Sequence, residues 1–146
     1  MGYDDWRDFV RDVSMVVPEH FADPDAMALM RDARAAGRKV GVLTNDGVAI
    51  NGYDFFMRIP EFAALDAFVD ASELGGGKPA PEPYLYAARV LNVEPARVVF
   101  LDDMVDCVEG AKAIGMNGVL VDPLAKRAAF AQARSLLGLP SVIVEP

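Results

Sequence analysis

Two short apolar runs, Val40-Gly41-Val42-Leu43 and Val98-Val99-Phe100-Leu101, constrain this chain more than any other feature. A near-continuous apolar strand needs cover on both faces, which is the situation of a parallel strand lying under helices. Each run stops at polar residues, Thr44-Asn45-Asp46-Gly47 after the first and Asp102-Asp103 after the second. Helix and strand signals alternate around them. Asp23 and Pro24 open a helix as cap and first-turn proline. Met27, Met30 and Ala33 continue it at helical spacing, and Gly37 closes it.

Lys39 to Leu43 is the first strand, and residues 48–62 read as a helix broken near Pro60. Phe68-Val69 is a short strand leading into Gly75-Gly76-Gly77, a run able to approach a ligand closely. Pro81 and Pro83 confine the start of a helix that reaches about Leu91, and Val98 to Leu101 is the clearest buried strand. A helix over Cys107–Ile114, a strand over Gly118–Val121, a helix from beyond Pro123 to Leu137 and a terminal strand Val142-Ile143-Val144 complete the pattern.

Such alternation predicts an α/β fold: a three-layer, doubly wound, mostly parallel sheet. Sheets of this kind bind ligands at the carboxyl ends of their strands, where Thr44 and Asp102 fall. A length of 146 residues at 53% hydrophobic composition fits one compact domain. No internal repeat or low-complexity linker interrupts it.

The net charge of −8 argues against a nucleic-acid surface, which needs clustered Lys and Arg, but allows a small anionic ligand where positive charge is local. The single cysteine, Cys107, excludes an intrachain disulfide and a cysteine-rich zinc site and suits a reducing compartment. The acidic start Met1-Gly2-Tyr3-Asp4-Asp5-Trp6 lacks a secretion signal, and position 6 lacks the Ser or Thr of a myristoylation motif. No apolar run is long enough to span a bilayer, so the expected location is the cytoplasm.

The chemistry is concentrated in three segments in fixed order: Val42-Leu43-Thr44-Asn45, Gly77-Lys78-Pro79 and Val99-Phe100-Leu101-Asp102-Asp103. Mg²⁺ prefers hard oxygen ligands and is held by one or two carboxylates together with waters and substrate phosphate. Adjacent acids at a strand end supply such ligands. Two carboxylates about 4 Å apart repel by roughly 4 kcal/mol at an effective dielectric near 20, so a cation or a raised pKa is expected beside them. Lys78 offsets part of that charge and suits phosphoryl oxygens. Taken singly, Thr44-Asn45 reads as a strand-end turn, Lys78 as a solvated loop cation and Asp102-Asp103 as a helix cap. The order and the company of the three favour a site.

In that order the segments resemble the core of a haloacid dehalogenase-like (HAD) hydrolase, a Rossmann-like group that includes many small-molecule phosphatases. The likeness runs from about Asp23 to Pro123, with Gly115-Met116-Asn117-Gly118 resembling the turn that commonly follows. The resemblance implies that the Thr44 hydroxyl binds the transferring phosphoryl group with Asn45 beside it. It implies that Lys78 pairs with the nucleophilic carboxylate and phosphate, and that Asp102 and Asp103 hold Mg²⁺ directly or through water. The substrate class implied is a small phosphorylated molecule.

The family also implies an aspartate nucleophile on an early Asp-x-Asp motif at the end of a central strand. The only Asp-x-Asp here, Asp23-Pro24-Asp25, caps a helix, and Asp4, Asp5, Asp8 and Asp12 follow no apolar run. Residues 1–22 resemble the tail of a helical cap segment preceding a core at 23–146, as though the chain began after the central strand. His20 reads as a surface or packing residue, and Trp6, Phe9 and Val10 as cap packing or an exposed patch. Burying a strand's apolar residues contributes roughly 1.5–3 kcal/mol each, so something must fill the gap. The 39–44 and 97–102 strands could pair directly, a partner could donate a strand or a homodimer could form, or the domain could be marginal.

Cys107 stands where the family usually has Asn, which would loosen the turn that orients the acids. Two functions follow: a Mg²⁺-dependent phosphatase inactive as this chain alone, or a non-catalytic phosphate- or metal-binding remnant. A response-regulator receiver domain has these residue types in another order, with its acids first and its lysine last.

Overall fold

The computed structural model describes residues 23–141. The cap remnant expected over residues 1–22 and the strand expected at Val142-Ile143-Val144 lie outside the described residues.

Helix α1, Pro24–Ala35, starts as its sequence dictates: the Asp23 carboxylate accepts from the backbone N–H groups of Asp25 at 2.9 Å and Ala26 at 3.1 Å. The same carboxylate pairs with Lys126 at the start of the final helix, tying two distant ends of the chain together. That hydrogen bond to Lys126 is the main reason the Asp23 carboxyl is held below its ordinary range, and Asp23 in turn raises Lys126. A depressed carboxylate stabilises the fold above its unfolded pKa and loses that contribution as pH falls through the folded one. Asp23→Ala is therefore expected to cost about 1 kcal/mol at pH 7. Urea denaturation at stepwise lower pH is expected to show the difference from the parent closing in acid, below about pH 4.

Strand β1 (Gly41–Thr44) is followed by three short helices, α2 (Gly47–Asn51), α3 (Tyr53–Met57) and α4 (Pro60–Ala63), and then by β2 (Ala67–Asp70). The expected broken helix is thus broken twice, at Gly52, whose φ is +79°, and before Pro60. These pieces hold Phe56, Phe62 and Phe68 together, with Phe56 5.6 Å from the Phe62 ring and 5.1 Å from that of Phe68. After a 3-10 turn at Ala71–Leu74 come α5 (Pro81–Leu91), β3 (Val99–Asp102), α6 (Val105–Ala113), β4 (Asn117–Leu120) and α7 (Lys126–Leu137). Helix α6 begins at Val105, one half-turn ahead of the expected Cys107.

The strands form two parallel pairs. β1 lies beside β2 with Gly41 opposite Ala67 and Thr44 opposite Asp70, and β3 lies beside β4 with Val99 opposite Asn117 and Asp102 opposite Leu120. Helices cover both faces. On one, Val40, Val99 and Leu101 pack against Leu29 and Ala33 of α1, Ala133 of α7 and Leu139. On the other, Leu43, Val98 and Phe100 pack against Tyr84 and Ala88 of α5 and Ala111 of α6. This is the expected three-layer α/β arrangement, with one correction. The inner strands are not buried as their apolar sequences predicted: Gly41 is exposed, and the rest of β1 and all of β3 are only half-buried. Nor do they pair directly, since the sheet consists of two separate two-stranded halves. Helices cover their faces, but among the described residues no strand lies against their inner edges.

Candidate active site

Three loops meet at the carboxyl ends of β1 and β3. The first, after β1, is fixed by its own polar residues. Thr44 Oγ1 accepts from the Gly47 N–H at 2.9 Å, and the Val48 N–H donates to Asp70 Oδ2 at 2.9 Å. Asp70 is buried at the end of β2, and its other oxygen accepts from the Ser72 N–H and hydroxyl at 3.0 and 2.5 Å. It therefore locks the Thr44 loop to the neighbouring strand. Sequence reasoning missed Asp70. Its signal was an Asp at a strand end with Ser two residues on, an ordinary capping pattern.

Asn45 joins the first loop to the second. Its Oδ1 accepts from the Lys78 N–H at 2.8 Å and its Nδ2 donates to the Lys78 carbonyl at 3.2 Å, gripping the backbone of one residue on both sides. A Cβ on Gly77 would stand 2.9 Å from Asn45 Oδ1, so the grip requires glycine before Lys78. The Lys78–Pro79 peptide is cis.

Lys78 then reaches the third loop. Its Nζ lies 2.5 Å from Asp102 Oδ2 and 5.4 Å from the centre of the Phe100 ring. The two charged side chains are only 10% and 9% exposed. The other oxygen of Asp102 accepts from the Met104 N–H at 2.9 Å, closing the turn into α6. The structure thus brings Asn45, Lys78 and Asp102 into one connected set, with Thr44 adjoining Asn45 in the same loop. Asp103 is exposed and has no hydrogen-bond or ion-pair partner among the described residues.

The floor beneath these groups is apolar. Tyr84 is fully buried, its ring 5.2 Å from Phe100 and its hydroxyl donating to the Cys107 carbonyl at 2.7 Å. Burial is the main cause that pushes both the phenol of Tyr84 and the thiol of Cys107 above their ordinary values, with Cys107 and then Asp102 adding to it for Tyr84 and Asp102 for Cys107. Burial thus outweighs the helix-start position that lowers a thiol's pKa, and Cys107 is an inert core residue. The turn beside it is closed by the Met104 N–H donating to Asp102. Gly110 lets α6 come down on this floor, since a Cβ there would meet the Pro79 carbonyl at 2.7 Å and the Tyr84 hydroxyl at 2.9 Å.

Among the described residues no three acidic, histidine or cysteine side chains are gathered to cage a metal. Both oxygens of Asp102 are already engaged, whereas the Asp103 carboxylate is unpartnered. That donor set does not suit an all-protein cage. It fits Mg²⁺ of the kind that takes one or two carboxylates and completes its shell with water and phosphate.

Residues 4–115 match the model of the haloacid dehalogenase-like hydrolase family, and the chain belongs to that family. Over 99 residues it is 35% identical to the phosphatase MT3486 of Mycobacterium tuberculosis (strain CDC 1551 / Oshkosh), covering 68% of this chain and 46% of that protein. It is 31% identical over 99 residues to a glyceraldehyde 3-phosphate phosphatase of Methanopyrus kandleri, covering 67% of this chain and 42% of that one. The chain thus spans less than half the length of these relatives. Its fold is that of a HAD phosphatase from Thermococcus onnurineus, with a TM-score of 0.68 at 22% identity over 94% of this chain and 66% of the other. No helix among the described residues is long and apolar enough to cross a membrane.

Proposed function

We propose that this sequence carries the phosphate- and metal-binding part of a Mg²⁺-dependent HAD phosphatase acting on a small phosphorylated molecule, and that the nucleophilic aspartate is not among its residues. The observation that carries this reading is the nearly buried Lys78–Asp102 pair, clamped to the β1 loop through Asn45. A lysine confined in this way is a preorganised donor for phosphoryl oxygens, which a loose surface lysine is not. Thr44 adds a hydroxyl, whose oxygen already accepts from the Gly47 N–H and which is thereby held at the mouth of the site. Asp102 positions Lys78, while Asp103, with Asp102 behind it, would hold Mg²⁺. When bound, the metal supplies charge neutralisation at phosphoryl oxygens. The names of the two relatives, both phosphatases, support the substrate class. Residues 1–22 belong in this reading to a cap remnant and 23–146 to the core, in a cytoplasmic protein.

The second reading, a non-catalytic phosphate- or metal-binding module, is favoured by the lack of any Asp-x-Asp at a strand end. Thermal melts with inorganic phosphate and Mg²⁺ test what the two readings share. Both predict a Tm that rises with ligand, by about 2.7 kcal/mol of stabilisation at a hundredfold excess over Kd. A flat response removes both. Joining the sequence behind a strand that ends in Asp-x-Asp then separates them. Hydrolysis of phosphate monoesters by that product supports the phosphatase, and binding without turnover supports the module.

A further inference from the structure

We propose that the outer face of α5 is a self-complementary interface through which two copies of this chain pair, helix against antiparallel helix, about a two-fold axis. The inference does not depend on the function proposed above. α5 buries Tyr84 and Ala88 against the strands and leaves Pro81, Glu82, Leu85, Tyr86, Arg89 and Val90 exposed. On a helix these six form two adjacent ridges at four-residue spacing, Pro81-Leu85-Arg89 and Glu82-Tyr86-Val90. Leu85, Tyr86 and Val90 are 37%, 38% and 46% exposed, so the middle of the face is apolar while its ends carry one acid and one base.

The order of residues along the face specifies the occupant. Turned end for end, the face is its own complement. When two α5 helices lie antiparallel with the axis between Leu85 and Tyr86, each Glu82 meets the other copy's Arg89, each Leu85 meets a Tyr86 and each Pro81 meets a Val90. Every acid then faces a base, and every apolar residue faces an apolar one. Such a pairing is isologous, the form that closes as a dimer. The two charges cannot serve each other within one chain, because seven residues along a helix separate them by roughly 10 Å. Neither has an ion-pair partner among the described residues. The Arg89 guanidinium lies 5.7 Å from the centre of the Tyr86 ring, which holds the cation on this face beside the apolar middle. A second copy answers both signs at once, whereas a purely acidic or purely basic partner sets one of them against its like.

Sedimentation equilibrium of the full chain from about 10 µM to 1 mM, with amide chemical shifts followed over the same range, tests the proposal. The expected result is a reversible monomer–dimer equilibrium, with shifts concentrated at residues 81–90 on the same concentration curve. Glu82→Arg and Arg89→Glu each turn both ion pairs of the dimer into like-charge contacts. Each alone is expected to weaken association about fivefold to tenfold, and less as salt is raised. Mixed in equal amounts, the two variants are expected to associate as the parent does, because each supplies the sign the other lacks. The double variant Glu82→Arg/Arg89→Glu is likewise expected to recover the parent's association. Tyr86→Ser removes part of the apolar middle and is expected to weaken association about tenfold at any salt. All three positions are exposed, so each variant is expected to keep the parent's Tm. A chain that stays monomeric throughout, or a dimer whose shifts lie away from α5, overturns the proposal. So do single variants that associate as the parent does, or a mixture that associates no better than either variant alone.

Discussion

Lys78→Ala is expected to destabilise the chain by about 3–5 kcal/mol and to abolish its stabilisation by phosphate. The size follows from the surroundings of the pair. Asp102 is 9% exposed, and apart from the Met104 N–H its only close partner among the described residues is the lysine 2.5 Å away. Removing the ammonium leaves an uncompensated charge in a poorly solvated place, whereas exposed pairs are worth less than about 1 kcal/mol. Against a typical domain stability of about 5–15 kcal/mol, such a variant stands near unfolding. The double variant Lys78→Met/Asp102→Leu separates structure from function. With both charges replaced by apolar groups most of the stability is expected to return, while the phosphate response stays absent. Urea denaturation with and without phosphate reads both quantities.

Tyr84→Ala is the second large effect, at about 3–5 kcal/mol in urea denaturation. Tyr84, on α5, is fully buried against the Phe100 ring of β3, the same ring that lies 5.4 Å from the Lys78 ammonium. Truncating it opens a cavity under the site, so phosphate-linked stabilisation is expected to weaken too. Tyr84→Phe keeps the ring and loses only the bond to the Cys107 carbonyl, with an expected cost of about 1 kcal/mol.

What could be read from sequence divides along physical lines. α1 and α5 were legible because Asp23-Pro24 and Pro81 mark their starts, and α7 because Gly138 follows its last residue, Leu137. The site was legible in outline because parallel topology brings strand ends together whatever the details. Residues 48–62 were not, because pieces of four and five residues are held by aromatic packing and not by helix periodicity. The burial of β1 and β3 was overestimated for a related reason. Apolar composition records what a strand is suited to lie beside, and the structure shows two such strands with one neighbour each. Asp70 was invisible as a positioning residue because its partner, the Val48 N–H, is 22 residues away. The division of labour within the acidic pair was equally hidden, since only coordinates show Asp102 engaged and Asp103 unpartnered.

The claim on which the rest depends is that the three loops form one anion site. Amide chemical shifts followed while inorganic phosphate is added in the presence of Mg²⁺ test it most directly. The account predicts that Asn45–Val48, Gly77–Lys78 and Asp103–Val105 shift together along one binding curve. Shifts centred instead on Arg38, Lys39 and Arg97 at the opposite end of the strands, or spread without a common curve, would contradict it.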